Sequence, residues 1–189
     1  MFVSAALYVL ISRLPVPGEL PSGTLVLLDP HVDGAATYAS GTKFDIRDAS
    51  RRILPRVARE AGGWNWKVRT IVNFDRKSMG STTPEPTLSE LGQSAKDLNA
   101  DYVAYSTVYR LTGARTGGLS ARLSGTASLI VSVYDRAEAR LVWREKVEET
   151  STRPGKHGEL QARVDQAYVS AFKKALDPFC AKGLRKKLP

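Results

Sequence analysis

The stretch from Thr87 to Thr150 constrains this chain more than any other. It opens on Thr87-Leu88-Ser89-Glu90. This is the spacing of a capping box, in which a hydroxyl and a carboxylate three residues apart each satisfy an amide that the first helical turn leaves orphaned. Leu88, Leu91, Ala95 and Leu98 recur at three- and four-residue steps, so the spacing predicts a helix to about Asn99 with these side chains on its inner face. Tyr102 to Leu111 reads as a strand. Ala121 to Tyr134 is a longer strand with strict alternation. Ala121, Leu123, Gly125, Ala127, Leu129, Val131 and Val133 face one way, and Arg122, Ser124, Thr126, Ser128 and Ser132 the other. One wall is core and one partly wet, as in an antiparallel sheet. Leu141 to Thr150 returns beside it, completing a meander.

Upstream, Thr24 to Leu28 is a short apolar run suited to a strand buried on both faces. Residues 29–43 read as a loop rich in Gly, Asp and Ser. Ile46, Ala49, Ile53, Val57 and Ala61 predict a helix over Asp45–Ala61, kinked at Pro55 and stopped by Gly62-Gly63. Lys67 to Phe74 reads as a strand, and residues 76–87 as a loop. A last helix runs from Glu159 to about Leu176, with Pro178 ending it. The order β-α-β-α-β-β-β-α predicts an α+β, two-layer domain over residues 24–178, a mixed sheet with helices packed on one face. Residues 179–189 read as a basic tail. Phe2 to Ile11 is an apolar run of ten, short of the roughly 20 residues that span a bilayer. A linker with Pro15, Pro17 and Pro21 follows it. The segment 1–23 is read as a degenerate export signal, with a first element of the domain or a misplaced start as alternatives.

Two local patterns carry a resemblance. One is Leu98-Asn99-Ala100-Asp101-Tyr102-Val103, where a helix turns into a strand. The other is Val133-Tyr134-Asp135-Arg136-Ala137-Glu138-Ala139-Arg140-Leu141-Val142-Trp143, a strand, a short turn and a strand containing Trp. Together with the element order they resemble the domain shared by the TolB N-terminal region, the curli secretion lipoprotein CsgG and the penicillin-binding-protein activator LpoB, over roughly residues 24–178. The resemblance implies a bacterial envelope or periplasmic setting and binding to another envelope protein. The lipid-acceptor Cys of the lipoprotein members is absent, and the Gly usual in the turn after Asp135 is replaced, with Glu138 near its place.

The residues themselves offer little chemistry. Among 189 residues, 42% are hydrophobic and 25% charged, the balance of an ordinary globular protein. His31 and His157 are the two histidines, each in a Gly-containing loop, and read as solvated. Cys180 reads as a small apolar filler. No nucleophile elbow, phosphate loop or dinucleotide fingerprint is present, so the chain is read as a non-enzyme with no cofactor and no metal. The Gly-rich stretch 111–120 joins two strands, not a strand to a helix, and reads as a hairpin loop.

Charge is the remaining signal. The formal net charge is +9, which suits an acidic partner, an anionic surface or nucleic acid. Arg47 and Arg51, then Arg52, Arg56 and Arg59, form a basic stripe on the first helix opposite its apolar phase, expected to be mostly exposed and a candidate site for an acidic partner. Trp64 and Trp66 follow, candidates for stacking on bases. Two functions compete. One is a protein-interaction or scaffold domain of the cell envelope, open to oligomerisation. The alternative is a basic nucleic-acid or anion-binding domain in the cytoplasm.

Overall fold

The computed structural model describes residues 23–32, 46–60, 66–70, 85–117, 122–154 and 159–183. In chain order the elements are β1 (Gly23–Leu27), β2 (His31–Val32), α1 (Ile46–Glu60), β3 (Trp66–Thr70), α2 (Leu88–Asp97), β4 (Tyr102–Thr116), β5 (Arg122–Asp135), β6 (Arg140–Pro154) and α3 (Leu160–Lys182). The strands form one mixed sheet in the order β3-β1-β4-β5-β6, and β2 adds to β4 beyond β1. β3, β1 and β4 are parallel, while β4, β5 and β6 are antiparallel. The α+β class, the mixed sheet and the element order are those the sequence predicts, with β2 as a two-residue addition.

The helices divide between the two faces. α1 and α3 lie on one face, where Ile53, Leu54, Val57, Val164, Tyr168, Phe172 and Phe179 pack with Leu25, Leu27, Ala104, Leu129, Val131 and Val133. α2 departs from the one-face expectation. Its Leu91 and Ala95 pack on the opposite face with Val26, Leu28, Val103, Tyr105 and Tyr134. Topology supplies the reason. The chain steps from β1 outward to β3, then back across β1 to β4. Parallel crossovers are nearly always right-handed, so two that run in opposite directions place their helices on opposite faces. β1 is accordingly apolar on both sides, as its unbroken run Leu25-Val26-Leu27-Leu28 required.

The capping box forms. Glu90 N donates to Thr87 Oγ1 at 3.2 Å and Thr87 N donates to Glu90 Oε2 at 2.7 Å. Leu88, expected inside, is half exposed, because it is the first helical residue and precedes the packed turn. β4, β5 and β6 run 15, 14 and 15 residues, so strand replaces much of the hairpin loop expected at 111–120. A bulge at Val108–Arg110 shifts the phase, which turns Leu111 and Gly113 towards α3. α3 meets β5 at Gly125, where a β-carbon would lie 2.3 Å from Val164 N. Only glycine lets the backbones approach that closely.

α3 also runs through Pro178, where the sequence predicts its end. Proline inside a helix costs roughly 3 kcal/mol. Phe179 is fully buried just beyond it, edge-on to Tyr102 with ring centroids 5.5 Å apart, and Cys180 is buried too. Burying a Phe contributes about 1.5–3 kcal/mol before ring–ring contacts are added, so the two offset. The helix ends instead at Gly183, with a left-handed φ of 63°.

Candidate functional site

The two motifs that carry the family resemblance meet at one end of the sheet. α2 ends at Leu98-Asn99, where Asn99 takes a left-handed φ of 44° and the chain turns sharply into β4. Asp101 then ties three segments together. Its Oδ2 accepts from Thr24 N at 2.7 Å, its own amide donates to Thr24 O at 3.0 Å, and its carbonyl accepts from Arg136 N at 3.0 Å. Gly23 packs against the same carboxylate with φ 141°, a conformation that favours glycine. Arg69 of β3 donates to Leu98 O, and Arg136 Nη1 to Asn99 Oδ1 at 3.4 Å.

Asp135 is buried and holds the β5–β6 turn. Its Oδ1 accepts from Ala137 N at 2.8 Å and from Glu138 N at 3.1 Å. The left-handed place in that turn falls to Ala139, φ 53°, where glycine would sit without strain. Asp101, Tyr102, Asp135, Arg136 and Ala137 line an open cleft of about 390 Å3. Both carboxylates are engaged by main-chain amides. The chemistry of the cleft is therefore that of a polar joint: it fixes where β1, α2, β4 and the β5–β6 turn meet.

The Arg stripe divides on inspection. Arg51 and Arg59 are exposed. Arg52 and Arg56, expected to be exposed with them, face α3 instead: Arg52 Nε meets Asp165 Oδ2 at 3.0 Å, and Arg56 Nη2 donates to Gln166 Oε1 at 2.5 Å. Asp165 is 5% exposed and also accepts from Gln161 Nε2 at 2.6 Å. Sequence reasoning missed this acceptor. The signal was there in α3, where Gln161, Asp165 and Gln166 break the apolar phase near its start. The side chains of Arg47 and Trp66 lie outside the described residues, as does Trp64 entirely.

His31 is not a solvated loop residue. It is 7% exposed and belongs to β2, paired with Thr107 of β4, because β2 carries the sheet past the break at Leu28–Pro30. Thr107 Oγ1 donates to Glu85 Oε1 at 2.7 Å, and Arg144 Nη2 meets the same oxygen at 3.2 Å. Glu85 so pins the entry to α2 onto the second face. His157 lies outside the described residues. Burial raises the pKa of the Cys180 thiol, helped by the charge of Asp177, which keeps the thiol protonated and unreactive at neutral pH. Among the described residues no group of three or more His, Cys, Asp or Glu is placed to hold a metal ion, and no helix is long and apolar enough to cross a membrane.

No protein-family model matches the chain, and no curated protein matches it. Among solved structures it is similar to the PelC dodecamer from Paraburkholderia phytofirmans, with 15% identity over 85% of this chain and 93% of that one and a TM-score of 0.43. It is similar to a lipoprotein from Neisseria meningitidis, with 14% identity over 79% and 97% and a TM-score of 0.46. The LpoB C-terminal domain from Salmonella enterica is a third, with 12% identity over 69% and 84% and a TM-score of 0.41. At such identities none of their roles transfers to this chain.

Proposed function

We propose that this chain is a non-enzymatic protein-interaction domain of the bacterial cell envelope, similar to the TolB N-terminal, CsgG and LpoB-like domains, and that it takes another envelope protein along the outer edge of β6. The motifs Leu98–Val103 and Val133–Trp143 support the family reading, since both serve one joint of the scaffold. The observation that carries the interaction is the edge itself. Among the described strands, β6 is 15 residues long and terminates the sheet order, paired on one side by β5. An edge of that length offers a row of main-chain donors and acceptors to an added strand. Its charged residues Arg144, Lys146, Glu148 and Glu149 set which strand is accepted and discourage indiscriminate pairing. Exposed Arg51 and Arg59 form the part of the basic stripe open to an acidic partner.

Site-specific photo-crosslinking in intact cells tests this. A photoreactive residue at Glu148 or Thr152, both exposed on β6, is expected to give one discrete adduct in the envelope fraction. The same residue at Asp97, exposed on α2, is expected to give none. Adducts that form equally from all three positions, or a chain recovered wholly in the cytosol, would sink the proposal.

A further inference from the structure

Among the described residues, a second set of basic residues outside every ion pair, besides Arg51 and Arg59, comes together from distant parts of the sequence. The ion pairs described lie at Arg52–Asp165, Arg140–Glu138, Arg144–Glu85 and Lys174–Glu149. None reaches the far end of the β4–β5–β6 arm, opposite the polar joint. There the strand register assembles Arg115, Arg122 and Arg153 from three strands. Arg115 and Arg153 both pair with Leu123, one on each side, and Arg122 lies between Thr116 and Pro154 in the next row. All three are exposed. Two strand spacings put Arg115 and Arg153 about 10 Å apart, close enough for one anionic surface to meet both. Glu159, exposed at the start of α3, forms no ion pair among those described.

The arrangement also restricts the shape of the ligand. Leu123 belongs to the buried face of β5, so its register partners Arg115 and Arg153 stand on the face that carries α3, and Arg122 stands on the other. A peptide lying on either face reaches one set only. A surface that meets the arm end-on reaches all three. Arg is the side chain best suited to such contacts with phosphate, since its guanidinium is planar, always charged and forked.

We propose that the far end of this arm is a docking surface for the phosphate headgroups of an anionic bilayer, with Arg115, Arg122 and Arg153 as its contacts. The choice of a bilayer over a nucleic acid rests on the envelope reading above.

Sedimentation of the full chain with vesicles tests the proposal. Vesicles of one third phosphatidylglycerol in phosphatidylcholine are expected to bind the chain, and pure phosphatidylcholine vesicles are not. The triple variant Arg115→Gln/Arg122→Gln/Arg153→Gln is expected to bind about 100-fold more weakly, given the usual contribution of each basic residue near an anionic surface. A control with the same loss of charge at exposed residues away from the arm, Lys67→Gln/Lys96→Gln/Lys182→Gln, is expected to keep its affinity. If the triple variant does not fold, Arg122→Gln alone is expected to cost about 5-fold. Equal losses in the triple variant and the control would mean diffuse charge and overturn the proposal, as would undiminished binding by the triple variant. Failure to bind either vesicle also overturns it, and leaves the β6 crosslinking result standing. Duplex DNA bound as tightly as the anionic vesicles, with the same three residues required, would overturn both this inference and the envelope reading.

Discussion

Tyr168 shows how one side chain ties stability to pH. It is fully buried on α3, its ring 6.1 Å from that of Phe172, and its hydroxyl bonds to Ser106 of β4. Burial raises its pKa well above the usual tyrosine value. The bond to Ser106 opposes the rise and the charge of Asp29 adds to it. The folded protein therefore keeps this proton after the unfolded chain, with a tyrosine pKa of about 10, has lost it. The stabilising contribution is fully present below about pH 10 and is lost as pH rises further, by up to about 1.4 kcal/mol per pH unit. Tyr168→Phe keeps the ring and removes both the bond and the titration. It is expected to cost about 1 kcal/mol at neutral pH, a deficit that shrinks and then reverses on the alkaline side. Urea midpoints for both proteins from about pH 8 to about pH 11 check this. Parallel curves would mean that Tyr168 does not set the alkaline limit.

At the scale of elements, α1 separates two kinds of arginine that its sequence does not. Arg52 lies against Asp165, whose carboxylate is nearly closed off from water. Arg51 points to solvent one position away. Removing one member of a buried pair leaves the other's charge without its counter-ion, so Arg52→Ala is expected to cost about 2–3 kcal/mol, below the roughly 3–5 kcal/mol of fully buried pairs because the Arg52 side chain is itself 33% exposed. Arg51→Ala is expected to move stability by less than about 0.5 kcal/mol. Thermal melts of the two single variants distinguish them, and equal effects would count against the α1–α3 contact. The sequence made α1, the capping box of α2 and the phase of β5 legible, since each is a local rule with a short period. It hid what depends on pairing between distant segments. The polar face of α1 looked like solvent because its acceptor, Asp165, lies 113 residues later. The bulge at Val108–Arg110 hid the outer half of β4, and the unpartnered arginines at the far end came together only through register.

The placement of α2 was legible in principle, and it governs how the molecule comes apart. β1 is buried on both faces and must be covered on both, which the apolar run from Leu25 to Leu28 announces and the turn-back from β3 to β4 enforces. Among the described residues the α2 side is the smaller core, eight buried residues against the larger set beneath α1 and α3. Lifting α2 away would expose Val26, Leu28, Val103, Tyr105 and Tyr134 together with Leu91 and Ala95. At about 1.5–3 kcal/mol for each large apolar side chain, the cost approaches or exceeds the roughly 5–15 kcal/mol that holds a whole domain folded. α2 should therefore not open as a separate layer. Leu91→Ala is expected to lower stability by about 2–5 kcal/mol, and native-state hydrogen exchange should show protection falling by the same amount in α2 and α3. Protection lost from α2 alone would make that helix a locally unfolding unit. It would also mean that the second face of the sheet tolerates exposure that this arithmetic forbids.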